Sequence, residues 1–510
     1  MKNRIFASFV LLLSCCSNSR FVRVVGVRDV ASAGGAPSIS SIRDIGTGAL
    51  PRLGEFAIDR SDGRTEIGEL LLIRGSNFGK QPTVTIGGRP GEVIAHAKGG
   101  AIIVRVPTEI DPGLIELTVA NENGSRSKKH LVRRLGVAIS GQELLLFEVG
   151  VDGLAKDLEQ RIPLVGANSL AISADGSVAY VAGTKTNEVI FWVVDLTSKN
   201  EGRIVSERKM PGKRVIALAT AKKAPLGAVL TDTHLVYFST ERMLRPEFYR
   251  AHPLAIELQK QMPIGVGLSG NGRALAILLA EQNRIAFFDS SNPSVFSQPQ
   301  MVDVLPDTRL PVVQDLSFSA DDGSLWVASG DTPHSIVGGY QNAQIISLKM
   351  VEKNGQQKLE VSTRWTLEGV GSPQALVVGP GQPRPSGTSV RLEESDSSVY
   401  LGSVSSDLLK KGFAGSSAKD LGGKVFRSTL VQPNQPIVAG EWLVKSLDVV
   451  GETRILLALL CKKSGGRWKK TVLSKRAWDP EVAPRFLVLG SCSPEELEPP
   501  FSFGAVKAQP

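Results

Sequence analysis

Imidazoles both bind metals and move protons near neutral pH, so the five histidines, His96, His130, His234, His252 and His334, are the first candidates for chemistry. They fall in five different segments, and no two stand at the close spacing of a zinc or copper site, so surface or core histidines are expected and no metal ligand is assigned. The acid pairs Asp321-Asp322 and Glu393-Glu394 lie in turn or loop text, where solvated carboxylates are the usual case. No Gly-x-Ser-x-Gly elbow stands between a strand and a helix, and no Cys-His arrangement marks an activated thiolate. The sequence therefore offers no catalytic residue and calls for no cofactor, and the chain reads as a non-enzyme.

Cysteine is the other reactive type, with four copies in two pairs, Cys15-Cys16 and Cys461 with Cys492. The second pair falls in apolar strands near the C-terminus. In an oxidising compartment these two could form a disulfide, and two buried thiols is the alternative.

The first pair has a different setting. Lys2 and Arg4 precede an apolar run, residues 5–13, far shorter than the roughly 20 residues that span a bilayer, which is the pattern of an export signal. Leu12-Leu13-Ser14-Cys15 resembles a bacterial lipobox. The resemblance implies removal of residues 1–14, a diacylglycerol on the Cys15 thiol and acylation of the new amino group, with Cys16 as the second candidate. An ordinary secretory signal cut further on is the alternative. Each buried methylene contributes roughly 0.8 kcal/mol, so several acyl chains anchor firmly where one does not. Residues 15–35, rich in Ser, Gly, Ala and Val, then read as a tether. The expected location is the bacterial cell envelope, lipid-anchored at the outer membrane and facing either periplasm or surface.

Elements that could position a site begin after this leader. Residues 69–124 contain short Val/Ile/Leu runs, ELLLIRG, TVTIGG, GEVIAHA, AIIVRVP and GLIELTVAN, each cut off by Gly, Pro or Asn, the pattern of a small antiparallel sandwich. Ile73, Gly75, Asn77-Phe78-Gly79, Val84, Ile86-Gly87-Gly88, Val106-Pro107 and Gly113 resemble the IPT/TIG immunoglobulin-like domain. Residues 37–42 match its first strand, although the connection 49–66 is longer than usual. The domain is expected over 36–134, as a spacer or a protein and carbohydrate contact module. Gly75 to Lys80 lacks the spacing, the hydroxyl and the following helix of a phosphate loop, and reads as a turn. The basic cluster Arg126, Lys128, Lys129, His130, Arg133 and Arg134 reads as a solvated joint between domains, with contact to an anionic surface as the alternative.

Beyond residue 134 the chain repeats itself. LAISADGSVAYVAG at 170–183 is an apolar strand, an Asp-Gly turn and a returning strand, and the pattern recurs at Leu268-Ser269 and Phe318-Ser319. Turn marks at Ser173, Thr220, Ser269 and Ser319 stand 47, 49 and 50 residues apart, with weaker ones near Gly379 and Val450. Such periods are the sign of a propeller of four-stranded blades, where stacking in a ring covers sheet faces that no single sheet can hide. Strands at 137–140 and 143–149 are too few for a blade, and the strand at 485–489 lacks companions, so the two remnants are expected to share one blade and close a ring of seven. The blade text resembles the bacterial YVTN-type propeller, and Ser319 to Trp326 resembles the structural Asp-box turn. The fold class is thus all-β, an N-terminal immunoglobulin-like (IPT/TIG) sandwich followed by a β-propeller over 135–492 and a tail over 493–510. The polar stretches 379–398 and 403–423 read as long loops at a mouth of the ring, where any ligand is expected.

A net charge of +9, or +7 without residues 1–14, is mild for 510 residues and argues against nucleic acid as partner. The leading functional reading is a non-catalytic envelope lipoprotein that binds a protein or glycan. The alternatives are a periplasmic scaffold or assembly lipoprotein and, behind it, a propeller hydrolase or lactonase.

Overall fold

The computed structural model describes residues 11–13, 20–22 and most of 35–508; the longer intervals outside the described residues are 23–34, 46–64, 331–343, 381–396, 405–422 and 493–505. The chain divides into two compact units, Met1–Arg133 with Thr197–Asn200, and Arg134–Leu196 with Glu201–Pro510. No described helix is long and apolar enough to cross a membrane.

The first unit is a sandwich. One sheet runs in the order Ser38–Asp44, Leu70–Ser76, Ala101–Arg105, Glu92–Ala97. In the other, Gly113–Asn121 lies between Thr83–Ile86 and the first half of Gly124–Ser140. Leu71 and Ile73 from the first sheet meet Val84, Ile86, Leu117 and Val119 from the second, with Phe78 among them. Phe78 is carried by a tight turn in which Asn77 and Gly79 adopt left-handed backbone, φ 58° and 77°. A Cβ on Gly75 would lie 1.8 Å from the Ser38 carbonyl oxygen, so only glycine lets the first strand approach there. The Asn121 amide donates to the Asn77 carbonyl at 2.5 Å and secures the turn from the facing sheet. The basic cluster is only partly solvated. Arg126, Lys128 and Lys129 are exposed, whereas Arg133 and Arg134 retain 3% and 0% exposure, because from Val132 onward the strand is buried.

Among the described residues of the second unit six antiparallel sheets follow one another. Their first strands are Ala167–Ile172, Val215–Thr220, Pro263–Leu268, Val312–Phe318, Pro373–Pro380 and Trp442–Val450, and each sheet then runs outward strand by strand in chain order. A further, composite sheet joins the two ends of the unit: Val506–Ala508 pairs with residues 136–138, followed by Glu143–Val149 and Ala155–Pro163. First strands of successive sheets touch, and Val506–Ala508 touches both Trp442–Val450 and Ala167–Ile172, so the series closes on itself. The closing strand is not the one expected. Arg485–Ser491 is the outer strand of the sixth sheet, paired with Arg467–Arg476, whose charge-rich text RWKKTVLSKR hides a strand with Val472 and Leu473 fully buried.

Period-two alternation supplies both faces of each sheet. Along Val178–Lys185, Ala179 and Val181 enter an apolar cluster with Leu144 and Leu146 of the composite sheet, while Val178, Tyr180 and Ala182 enter another with Val229 and Phe238 of the second sheet. Every neighbouring pair of sheets has its own cluster of this kind.

The repeated serine has a specific task. Ser173, Ser269 and Ser319 are buried, and their hydroxyls accept the N–H of the residue five positions on, Val178, Ala274 and Ser324, at 3.0, 2.9 and 3.0 Å. In the second sheet the equivalent backbone bond, Ala221 N–H to Leu226 C=O, places the turn at Ala221, one residue beyond the Thr220 mark, and alanine cannot make the side-chain bond. Ser269→Ala is expected to cost about 1–2 kcal/mol in urea unfolding, since it strands a buried N–H. A variant as stable as the parent would contradict this role.

Candidate functional site

The axis of the ring is built by a recurring irregularity. In each of the six sheets the first strand carries one extra residue at the same place: Asn168, Ile216, Ile264, Gln314, Gln374 and Lys445 are skipped in the pairing with the second strand. Such a bulge bends the strand and re-aims the side chain that follows. That next residue is Ser169, Ala217, Gly265, Asp315, Ala375 or Ser446, small everywhere except at Asp315. First strands present an unpaired inner edge, and side chains at this level serve it. The Ser446 hydroxyl accepts the Val506 N–H at 3.3 Å, and the Ser317 hydroxyl accepts the Val378 N–H at 3.2 Å. The Asp315 carboxylate accepts the Leu376 N–H at 2.7 Å and the Leu316 N–H at 2.8 Å, tying the fourth sheet to the fifth.

Burial pushes the Asp315 pKa up to about 6, against the pull of these two N–H donors and of the Lys507 ammonium. The folded state thus holds this proton more tightly than the unfolded chain, where Asp titrates near 4. Its contribution to stability is complete below about pH 4 and is lost as pH rises through about 6. Asp315→Asn is expected to remove that fall, a difference on the order of 2 kcal/mol between pH 4 and 7 after allowance for partial solvent access. Unfolding curves of parent and variant that shift in parallel with pH would contradict it.

Where the first strands turn into the second, the ring carries a second layer of charge. Asp322 occupies the left-handed position, φ 61°, that glycine holds at Gly176 and Gly272 in other sheets. Its carboxylate accepts the N–H groups of Gly270 and Asn271 in the turn of the third sheet. It also faces the Lys223 ammonium of the second sheet at 3.7 Å, and the Lys223 N–H donates to the Gly270 carbonyl. Asn and Asp tolerate left-handed backbone best among residues with a Cβ, and here the side chain links three sheets in return.

Nearby, Lys507 of the composite sheet faces Asp448 of the sixth at 3.3 Å. Lys222, in the turn of the second sheet, lies within electrostatic reach of Asp448, Lys507, Asp322 and Lys223. These residues come from the second, fourth, sixth and composite sheets. Its side chain is exposed to solvent. Among the described residues no carboxylate lies within ion-pair distance of it.

Of the residues singled out from sequence, Asp322 belongs to this layer and is buried rather than solvated, because its carboxylate is bonded to the neighbouring turn; the others are placed elsewhere. Cys15 and Cys16 lie outside the described residues, as do His334, Asp321, Glu393, Glu394 and most of the loops 379–398 and 403–423. Cys461 and Cys492 are bonded to each other, S–S 2.19 Å, across the sixth sheet. His130 meets the Thr65 hydroxyl at 2.5 Å, His234 the Thr233 hydroxyl at 2.8 Å and His252 the Pro293 carbonyl at 3.2 Å, each in a different place. No group of His, Cys, Asp and Glu among the described residues could hold a metal ion. Lys222, Asp315, Asp448 and Lys507 carry no mark in the sequence except that Asp315 breaks the run of small residues after the bulge.

Residues 57–131 match the family model of the IPT/TIG domain. No curated protein matches the sequence. Similar solved structures include Kuenenia stuttgartiensis hydrazine synthase, 13% identical over 61% of this chain and 77% of that one, TM-score 0.39. The β-propeller domain of Myceliophteria thermophila Cps50 (Swd1) is 9% identical over 61% and 84%, TM-score 0.38, and the Dos1 propeller 13% over 70% and 81%, TM-score 0.41. Likeness at this level carries no functional information. The chain is an all-β protein with an IPT/TIG domain ahead of a β-propeller.

Proposed function

We propose that the chain is a lipid-anchored protein of the bacterial cell envelope that binds a protein or glycan without catalysis. The ring, read as a seven-bladed propeller, grips its partner at the mouth formed by the turns between first and second strands, and the IPT/TIG unit serves as a spacer. The observation that supports this mouth is the convergence of Lys222, Asp322, Asp448 and Lys507 from four sheets on one place at the axis. Anchoring rests on Cys15 following a short apolar run. Cys15→Ser is expected to move the protein from the membrane to the soluble fraction, and membrane retention of the variant would count against acylation there. For the binding face, a photo-crosslinking residue at Arg273, exposed on the turn side, is compared in intact cells with one at Lys185, exposed at the opposite end of the strands. A discrete partner captured from position 273 and not from 185 supports the reading. Capture from 185 alone, or from neither, overturns it.

A further inference from the structure

Positive charge is concentrated in the sixth sheet. Its outer three strands, Ile455–Ser464, Arg467–Arg476 and Arg485–Ser491, hold eight Lys and Arg and no Asp or Glu, close to the net +9 of the whole chain. The register gathers part of this charge on one face. Lys462 stands directly opposite Lys469, and alternation sets Arg467 on the same side. Phe486 and Val488, opposite Leu473 and Thr471, continue that face onto the outermost strand. Its inner part is covered by the fifth sheet, where Leu460 and Leu473 pack with Ala375, Val377 and Tyr400. Farther out, Phe486 and Val488 remain 39% and 52% exposed, and the Lys462 ammonium lies 3.8 Å from the centre of the Phe486 ring. Like charges directly opposite each other weaken a strand pair, so Lys462 beside Lys469 costs the fold stability. Exposed apolar side chains rimmed by cations suit an anionic lipid layer, because the apolar groups enter the boundary region while the cations meet the headgroups. Nucleic acid fits less well. It uses aromatic faces to stack bases, and here the exposed ring already faces Lys462, while Val488 has no π surface.

We propose that this face of the sixth sheet docks on an anionic phospholipid bilayer, with Phe486 and Val488 entering the headgroup boundary and Lys462, Arg467 and Lys469 meeting the lipid phosphates. The basic hairpin lies at the turn between second and third strands, the opposite end of the sheet from the turns between first and second strands. Docking there leaves the mouth proposed above directed away from the membrane. It adds a second membrane contact to the acyl anchor and does not depend on it.

The test uses the full chain carrying Cys15→Ser, so that no acyl group contributes, and measures cosedimentation with vesicles of phosphatidylcholine alone or mixed with phosphatidylglycerol. Binding to the mixed vesicles is expected, about tenfold or more tighter than to phosphatidylcholine. Arg467→Gln combined with Lys469→Gln should weaken it about twentyfold, near fivefold for each charge removed, without lowering the urea midpoint, since the second change relieves the like-charge pair. Val488→Asn should weaken it about threefold or more. Arg126→Gln combined with Lys129→Gln, an equal loss of charge from the first unit, should change it by less than about twofold. Any pull of residues 1–14 on the vesicles is common to all these chains. No preference for the mixed vesicles, equal losses in the two double variants, or full binding by Val488→Asn overturns the inference. Tighter binding to a DNA duplex than to the mixed vesicles overturns it too and makes the face a nucleic-acid site. Failure of acylation at Cys15, or of capture at position 273, leaves each of these outcomes unchanged, so the two readings fail separately.

Discussion

Truncation immediately before Val506 is expected to destabilise the second unit strongly, although it removes only five residues, 506–510. Val506 is fully buried in a cluster with Phe147, Val149, Ile455, Leu457, Leu459 and Val472, drawn from the composite and sixth sheets. Losing it forfeits about 1.5–3 kcal/mol of burial and the backbone pairs at residues 136–138. It also withdraws the Lys507 ammonium from Asp448 and leaves the edge of the composite sheet bare at the axis. The sum, about 4 kcal/mol or more, is a large part of the 5–15 kcal/mol that holds an ordinary domain. Urea unfolding and limited proteolysis of the truncated chain check it. A sharp transition at the parent's midpoint would show that Val506–Ala508 does not close the ring. Val506→Ala, which keeps the strand, should cost about 1–2 kcal/mol, separating lost side-chain packing from lost closure.

Phe238→Ala has the next largest expected effect, about 3–5 kcal/mol. The Phe238 ring is fully buried between the first and second sheets, 5.2 Å from Tyr180, 5.1 Å from Phe191 and 5.7 Å from Phe248, centroid to centroid. It lies over Gly227, its cross-strand partner, where a Cβ would come within 2.1 Å of the ring. Phe147 covers Gly136 in the composite sheet in the same way. Gly227→Ala should therefore be destabilising alone and mild when combined with Phe238→Ala, because the clash disappears with the ring. Additive losses in the double variant would contradict this packing, as would a loss below about 1 kcal/mol for Phe238→Ala.

The ring was legible where its text records a hydrogen bond. Serine before the turn appears at 173, 269 and 319 because its hydroxyl closes the hairpin, and where Ala221 stands instead the mark slips to the neighbouring Thr220. The closing strand is not legible because Val506–Ala508 spans three residues, shorter than any run that alternation can reveal. Strand Arg467–Arg476 is masked in the sequence because its lysines and arginines outweigh its buried Val472 and Leu473. The sandwich was the easier reading, since the turn at 75–79 needs glycine and asparagine for its backbone and writes them into the sequence. The charges at the axis were not legible. Lys222, Asp322, Asp448 and Lys507 each look like ordinary surface residues, and only closure of the ring brings four distant segments together.

The pairing of residues 136–138 with Val506–Ala508 also sets a timetable for biosynthesis. The second unit's earliest strands leave the ribosome more than 350 residues before the piece that completes them. Until residues 506–508 emerge, the six sheets must wait as an unlatched arc with an unsheltered flank at either extremity, and the closing step joins partners about 370 residues apart. Such late, non-local docking is slow and leaves nascent chains prone to clumping, so a holding chaperone during that interval should raise the yield of folded protein more than one added afterwards.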